Sequence, residues 1–177
     1  MKTSSLLKKV LTKLAASRIN WVKPKFVKEI CSYYEEPETI SFLKKQGILF
    51  SDDKELLSFL NKGKFEKISD EELLKKGKNI TVKIDEFEEE IKNQNYLPSY
   101  KHLENSLIEK DLNLECPILI KFKDGTYWGF SGNRRANLAR KNKLPLLFWV
   151  IDHERVLQDE KDKEKREAEN EERLKNL

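Results

Sequence analysis

The segment Ser131-Gly132-Asn133-Arg134-Arg135 combines residue types that can hold an anion. Serine, glycine and asparagine suit a tight turn, and the two arginines open a helical stretch that continues to Lys143. Backbone N–H groups at the start of a helix lack intrahelical partners, and the helix dipole favours negative charge there. Arginine is unfavourable at this place unless an anion offsets it. We call these five residues the turn box and predict that they contact phosphate.

An alternative interpretation needs no ligand. Arg134 and Arg135 could pair with an acidic helix that carries Glu88 to Glu90. Asn133 is a residue type that turns tolerate, and it needs no catalytic role. Two tryptophans near the box, Trp128 and Trp149, lie in predicted strands, where core packing is favoured over stacking on a nucleobase.

Three predicted strands must position the turn box. Two β-rich runs, Pro117–Lys123 and Thr126–Phe130, flank Asp124-Gly125, which is a strong hairpin signal. The second run leads into the box and its helix. Pro145 ends that helix, and a third apolar run follows over Leu146–Ile151.

This order of elements resembles the core of the ParB/sulfiredoxin superfamily, whose pattern is a Pro-Ile strand, a hairpin, a Gly-x-Arg-Arg or Gly-Cys-His-Arg box, a helix and a closing strand. Upstream, Ile80–Ile84 is similar to the family's first strand and Tyr100–Leu112 to its next helix, so the likeness covers residues 78–152. The resemblance implies an α+β fold with a small mixed sheet and a box that grips nucleotide phosphates. It also implies CTP or ATP, with Mg²⁺, as the ligand.

Two positions depart from the family pattern. Sulfiredoxins place their reactive cysteine where this chain has Asn133, and neither Cys31 nor Cys116 falls in the box. An amide cannot form the covalent adduct, so sulfiredoxin chemistry is excluded. ParB proteins have glutamate at that position and a further arginine where this chain has Asn137, which argues against ParB-like CTP hydrolysis.

The resemblance leaves three function classes open. The leading prediction is a nucleotide- or phosphate-binding module of a regulatory, DNA-associated protein in a prokaryote, phage or plasmid. A second is an enzyme, either a nucleotide triphosphatase or phosphotransferase or a ParB-like nuclease. The family's free-serine kinases suggest an acid before the Pro117 strand as its base, and the candidates are Glu109, Asp111 and Glu115. The third is a protein-interaction module that keeps the fold without the ligand.

Composition restricts the compartment and the partners. The 177 residues carry a net charge of +4, with 37% charged and 38% hydrophobic residues. The first thirty residues hold eight basic side chains and a single acid, Glu29, and we predict nucleic-acid contact by Lys8, Lys9, Lys13 and Arg18. An ordinary solvated helix face is the alternative. Two cysteines without a secretory signal or an apolar membrane span predict a cytoplasmic protein that does not enter membranes.

Helix punctuation predicts a helical region over residues 1–77, which is either a separate subdomain or a decoration on the same core. One helix runs from Pro37 to Gln46 and ends at Gly47, one is capped by Ser51 and runs to Lys62, and one begins at Ser69 with a capping box and leads to Gly77.

Residues 153–177 form a charged tail with few apolar residues, predicted to be a solvated helix or disordered, with docking of a protein partner as the alternative. The two histidines, His102 and His153, have no cysteine at ligand spacing, so no metal site is predicted.

Overall fold

The computed structural model describes residues 19–33, 35–93 and 112–176, and it confirms the α+β class predicted from the sequence. The strands are β1 Ile19–Val22, β2 Lys64–Glu66, β3 Gly77–Lys78, β4 Leu112–Glu115, β5 Ile118–Lys121, β6 Tyr127–Ser131 and β7 Phe148–Asp152. The helices are α1 Val27–Tyr33, α2 Pro37–Lys45, α3 Asp53–Asn61, α4 Asp70–Lys76, α5 Ile84–Asn93, α6 Asn133–Lys141 and α7 His153–Lys175.

Within these ranges, five strands form one mixed sheet in the order β2-β7-β5-β6-β3. The predicted hairpin around Asp124-Gly125 is confirmed as the antiparallel pair β5 and β6. After α6, the chain returns as β7, parallel to β5. β2 pairs antiparallel with β7, and β3 pairs parallel with β6. β1 and β4 form a separate parallel pair.

Successive side chains of a strand point to opposite faces of the sheet. Both faces of this sheet carry apolar side chains, and each face packs in its own cluster. Ile118 and Ile120 of β5 pack in a cluster with residues of α1, α2 and α3 and with Val156 of α7. Leu119 points the other way, into a cluster that includes Leu73 of α4 and Ala136 of α6. In the sequence, the turn box lies between Phe130, which packs in the first cluster, and Ala136, which packs in the second.

The boundaries predicted for the three helices between Pro37 and Gly77 agree with the structure to within about two residues, with one shift in a cap. Of the helix predicted over Tyr100–Leu112, residues 100–111 lie outside the described residues and Leu112 belongs to β4. The Ser69 cap is confirmed, since its hydroxyl accepts the Glu72 N–H at 3.2 Å. The helix expected to be capped by Ser51 is capped by Asp52, whose Oδ1 accepts the Glu55 N–H at 2.9 Å. The Glu55 side chain reaches back to the Ser51 N–H at 2.7 Å, so both residues take part in the cap.

The strand predicted over Ile80–Ile84 is wrong. The strand is the two-residue β3 just before this segment, and Ile84 already begins α5. Between them the chain turns at Asn79, which has φ +56 and donates through Nδ2 to the Gly129 carbonyl at 2.8 Å. Within residues 80–83, the backbone of Thr81 is hydrogen-bonded to the side chains of Asn133 and Asn137 rather than to a neighbouring strand.

The described part of the helical region before residue 78 shares the sheet of the later residues. β2 and β3 come from the stretch assigned to the helical region, yet both belong to the five-stranded sheet. Phe26 of the segment before α1 and Leu43 of α2 share a cluster with Ile118. The described part of the charged tail is the helix α7 and the Asn176 that follows it; Val156 is buried and residues 157–176 are exposed.

Candidate functional site

The turn box lies where β6 passes into α6. Ser131 ends the strand, Gly132 adopts the left-handed conformation with φ +91, and Asn133 begins the helix. A Cβ at position 132 would lie 2.7 Å from the Pro117 Cα, so the turn needs glycine for both its conformation and its space. The start of α6 has no acid in its first turn and no side-chain cap.

The other end of the sheet gives a contrast. Asp152 caps α7, and its carboxylate accepts the Arg155 N–H at 3.2 Å. The start of α7 therefore supplies its own anion. The start of α6 presents backbone N–H groups next to Arg134, which is exposed to solvent.

Arg135 points into the protein, and its side chain is only 19% exposed. Its Nη1 donates to the carbonyl oxygen of Glu115 in β4. Its Nη2 lies 3.8 Å from Oε1 of Glu29 in α1. Burial lowers the pKa of the Arg135 guanidinium, while the carboxylates of Glu29 and Glu115 oppose that shift.

Glu29 is the site residue that sequence reasoning missed. It is 1% exposed, and its Oε1 also accepts a hydrogen bond from the Ser131 hydroxyl at 3.0 Å. Two residues of the turn box thus meet one carboxylate that lies about a hundred positions earlier in the chain. The available sequence signal was that Glu29 is the single acid in a strongly basic stretch.

Asn133 and Asn137 fasten the turn box to the segment after β3. The Asn133 Oδ1 accepts the Thr81 N–H at 3.2 Å, and the Asn137 Nδ2 donates to the Thr81 carbonyl at 2.7 Å. Asn137 is fully buried and also donates to the Asn133 carbonyl at 2.8 Å. Arg140 completes the network, donating to Asp70 at 2.8 Å and to the Thr81 carbonyl at 3.3 Å. These amides therefore have a structural task.

The acidic helix predicted as a partner for the two arginines is α5. Its Glu88 pairs with Lys141 at the far end of α6, at 3.3 Å. Arg135 pairs with Glu29 instead.

The candidate acids are only partly within the described ranges. Glu115 lies in β4, is half-buried, and touches Arg135 through its backbone carbonyl. Glu109 and Asp111 lie outside the described residues, and so do the four basic residues predicted to contact nucleic acid, Lys8, Lys9, Lys13 and Arg18.

Cys116 follows Glu115 and is fully buried. Burial raises the pKa of its thiol to about 11, with Arg135 lowering it in part. The thiol is therefore protonated near neutral pH and is a poor nucleophile.

Both tryptophans pack in the core, as predicted. Trp128 stacks on Phe42 with ring centroids 3.9 Å apart. Trp149 is buried, and its Nε1 donates to the Leu60 carbonyl at 2.8 Å.

Neither a metal centre nor a membrane segment is present in the described ranges. There, no group of three or more His, Cys, Asp and Glu side chains is arranged to hold a metal ion. The described helices are also too short or too polar to cross a bilayer.

No protein-family model matches this chain, and neither a curated protein nor a solved structure matches it significantly. The resemblance to the ParB/sulfiredoxin superfamily therefore has no support beyond the sequence motifs within residues 78–152.

Proposed function

We propose that this chain is a ParB-like module that binds the phosphate groups of a nucleotide at the turn box, as part of a regulatory, DNA-associated protein. The observation that carries the proposal is the start of α6. A left-handed Gly132 leads into a helix whose first turn has no acid, no side-chain cap and an exposed Arg134. Such a terminus suits an anion through both its N–H groups and its dipole.

The residues of the box have different tasks in this proposal. The backbone N–H groups of Asn133 and Arg134 donate to phosphate oxygens, and the Arg134 guanidinium adds a charge-assisted contact. Arg135 contributes less, because Glu29 lies beside it and offsets its charge. Mg²⁺, when it arrives with the nucleotide, would neutralise part of the phosphate charge.

The test is a thermal-shift panel of CTP, ATP, GTP and pyrophosphate with Mg²⁺. A ligand that binds only the folded state must raise the unfolding midpoint. Arg134→Ala should weaken binding by about 1.5–3 kcal/mol and leave the ligand-free midpoint nearly unchanged, because the side chain is exposed. The matched control is Arg155→Ala, which removes an exposed arginine from the first turn of the capped helix α7. Equal ligand responses in Arg134→Ala and Arg155→Ala would reject the assignment.

The second candidate is a protein-interaction module that has kept the fold without the ligand. The engagement of Ser131 and Arg135 with Glu29, and of Asn133 with Thr81, favours it. In that case no member of the panel raises the midpoint of the wild-type chain.

A further inference from the structure

Strand β2 forms one edge of the five-stranded sheet. In the part of the chain that the structure describes, β2 pairs with β7 on one side and has no strand on the other. Its sequence is Lys64-Phe65-Glu66, and Phe65 is 47% exposed. An open sheet edge that carries an exposed apolar residue is a template for pairing with a further strand.

The backbone N–H and C=O groups of Phe65 point away from β7. The Trp149 N–H donates to the Pro117 carbonyl at 2.9 Å, so Trp149 directs its backbone groups towards the chain that enters β5. Phe65 lies directly opposite Trp149 in the antiparallel ladder. Opposed residues of such a ladder exchange either both hydrogen bonds or neither, in alternation. The pair of Trp149 and Phe65 exchanges neither, and the backbone groups of Phe65 therefore face the open edge.

The sequence of β2 is complementary to itself in charge. When two copies run antiparallel with Phe65 opposite Phe65, Lys64 of each copy lies opposite Glu66 of the other. Opposite charges at directly opposed positions stabilise a strand pair, and like charges destabilise it. Sliding one copy by two residues keeps outward-facing groups opposed but places Lys64 opposite Lys64, or Glu66 opposite Glu66. The charges therefore favour the symmetric register.

We propose that β2 is a dimerisation edge, where a second copy of this chain adds its own β2 antiparallel and joins the two sheets. The contact is isologous, with its twofold axis at Phe65. At the centre, the Phe65 N–H of each copy donates to the Phe65 carbonyl of the other. The flanking pairs of Lys64 with Glu66 are then of the closer, non-hydrogen-bonded kind, in which the side chains approach each other best.

The side chain of Phe65 contributes the apolar part of this contact. Because side chains alternate along a strand, Phe65 lies on one face and Lys64 and Glu66 lie on the other. The Phe65 ring meets the Trp149 ring edge-on, with centroids 5.2 Å apart and an interplanar angle of 80°. In the dimer the two Phe65 rings lie side by side between the two Trp149 rings, so the exposed part of Phe65 is removed from water.

The other edge of the described sheet lacks these features. β3 is two residues long, Gly77 and Lys78, and the chain turns after it at Asn79, which has φ +56. The Gly77 N–H already donates to the Leu73 carbonyl. A pairing of β3 with a copy of itself would bring together lysines without an acid. Of these two edges, β2 is the one suited to a second copy of the chain.

Sedimentation equilibrium of the full chain tests the proposal. A contact of a few residues on each side is small, so the chain should pass from monomer to dimer between about 10 µM and 1 mM. Lys64→Glu and Glu66→Lys should each weaken dimerisation at least about 10-fold, because both attractive pairs become repulsive.

An equimolar mixture of the two single variants tests the register. Lys64→Glu carries glutamate at both flanking positions, and Glu66→Lys carries lysine at both. Together they restore both opposite-charge pairs, so the mixture should form a heterodimer with an affinity within about threefold of wild type. The double variant Lys64→Glu/Glu66→Lys is self-complementary again and should form a homodimer. The matched control, Lys83→Glu, makes the same charge change at an exposed position after β3 and should leave dimerisation unchanged.

Hydrogen exchange of the Phe65 amide gives an independent measurement. This N–H faces solvent in the monomer and is hydrogen-bonded in the dimer, so its exchange, followed by NMR, should slow as the protein concentration rises. The amides of Lys64 and Glu66 face β7 in both states and should slow less.

Three results would each overturn the proposal. The first is a wild-type chain that stays monomeric up to about 1 mM. The second is a dimer that Lys64→Glu and Glu66→Lys leave intact, since the contact then lies elsewhere. The third is a mixture of these two variants that stays monomeric although circular dichroism shows that both are folded. The outcome does not depend on nucleotide binding at the turn box, because the sedimentation experiment contains no ligand.

Discussion

The side-chain amide of Asn137 joins two elements that the backbone alone would leave apart. Its Nδ2 donates to the carbonyls of Thr81 and Asn133, and its Oδ1 accepts from Arg140 at 3.2 Å. Because the residue is fully buried, its removal would leave several groups without partners. Asn137→Ala should therefore lower the free energy of unfolding by about 2–4 kcal/mol, measured by urea denaturation.

Asn142 provides the matched control on the same helix. Its Nδ2 makes one hydrogen bond, to the Leu138 carbonyl at 2.9 Å, at a half-buried position. Asn142→Ala should cost about 0.5–1.5 kcal/mol. Equal losses in the two variants would mean that the Asn137 network contributes no more than a single helix-end bond.

The raised pKa of the Cys116 thiol predicts how the free energy of unfolding changes at alkaline pH. The folded state raises the pKa of this thiol to about 11, so the unfolded chain releases the proton at lower pH than the folded chain does. The stability that the buried thiol contributes is thus complete below its ordinary pKa near 9 and is lost as pH rises towards 11. We expect the free energy of unfolding to be level between about pH 7 and 8 and to fall from about pH 9.

The Cys116→Ala variant isolates this effect. It should be less stable than wild type at pH 7 because it leaves a small cavity, but its loss between about pH 8.5 and 10 should be smaller. Tyr127, whose pKa burial and Glu72 raise to about 12, adds a decline only above its ordinary value of 10. Parallel stability curves for the two chains between pH 8.5 and 10 would contradict the assignment to Cys116.

At the scale of single residues, the sequence predicts the positive charge of the turn box but not the side chains that its arginines contact. Adjacent arginines after Ser-Gly-Asn indicate positive charge at a helix start, and that is where Arg134 and Arg135 lie. Nothing local indicates that Arg135 turns inward, because its partner Glu29 comes from a different element. Sequence spacing cannot report a pair that only the packing of α1 against the sheet brings together.

At the scale of elements, the passage from β6 into α6 depends on Gly132. Alanine there would meet both the left-handed conformation and the Pro117 Cα at 2.7 Å. Gly47 after α2 is a natural comparison, since its φ is +78 and a Cβ there would meet nothing within 4 Å. Gly47→Ala should cost about 1–2 kcal/mol from backbone strain alone. Gly132→Ala should cost at least about 1 kcal/mol more, because Pro117 must also move.

Chemical denaturation of the two glycine variants measures this difference directly. A phosphate titration of Gly132→Ala adds a functional readout, since a shifted turn would misalign the N–H groups of α6. If both variants lose the same free energy of unfolding, the close approach of Pro117 to position 132 adds nothing to the cost of the substitution.

The elements that sequence patterns predicted best have strong local signals. The Asp124-Gly125 hairpin and the Ser69 cap are examples, because turn chemistry and capping act within a few residues. β2 escaped prediction because Lys64–Glu66 is three residues long and has no alternation to detect. Ile80–Ile84 has the β-branched composition of a strand, but Asn79, Asn133 and Asn137 fix its backbone in another way.

At the scale of the whole molecule, one sheet joins the two halves of the chain. β2 and β3 flank strands that come much later in the sequence, and the apolar clusters on both faces mix early and late residues. A boundary at residue 78 that was taken from the extent of the resemblance could not detect this, because strand order depends on long-range pairing. The turn box and Glu29 therefore belong to the same core, and their stability is linked.

Among the residues that the structure describes, the helix α7 is joined to this core at its beginning. Val156 is buried, Lys62 pairs with Glu160 at 2.7 Å, and residues 157–176 are exposed. A chain that ends at Lys161 keeps both contacts. Its free energy of unfolding should lie within about 0.5 kcal/mol of wild type, because exposed residues contribute little to folding. Its ellipticity at 222 nm should become less negative, since most of a 23-residue helix is removed.

Two substitutions test the same division of α7 without truncation. Val156→Ala should destabilise the protein by about 1.5–3 kcal/mol through lost apolar burial and the cavity left behind. Leu174→Ala should change stability by less than about 0.5 kcal/mol, because Leu174 is 72% exposed. Urea denaturation of the truncated chain and of both variants provides the comparison. If the truncation lowers the free energy of unfolding as much as Val156→Ala does, the distal part of α7 packs against the rest of the protein. The description of α7 as a solvated helix would then be wrong.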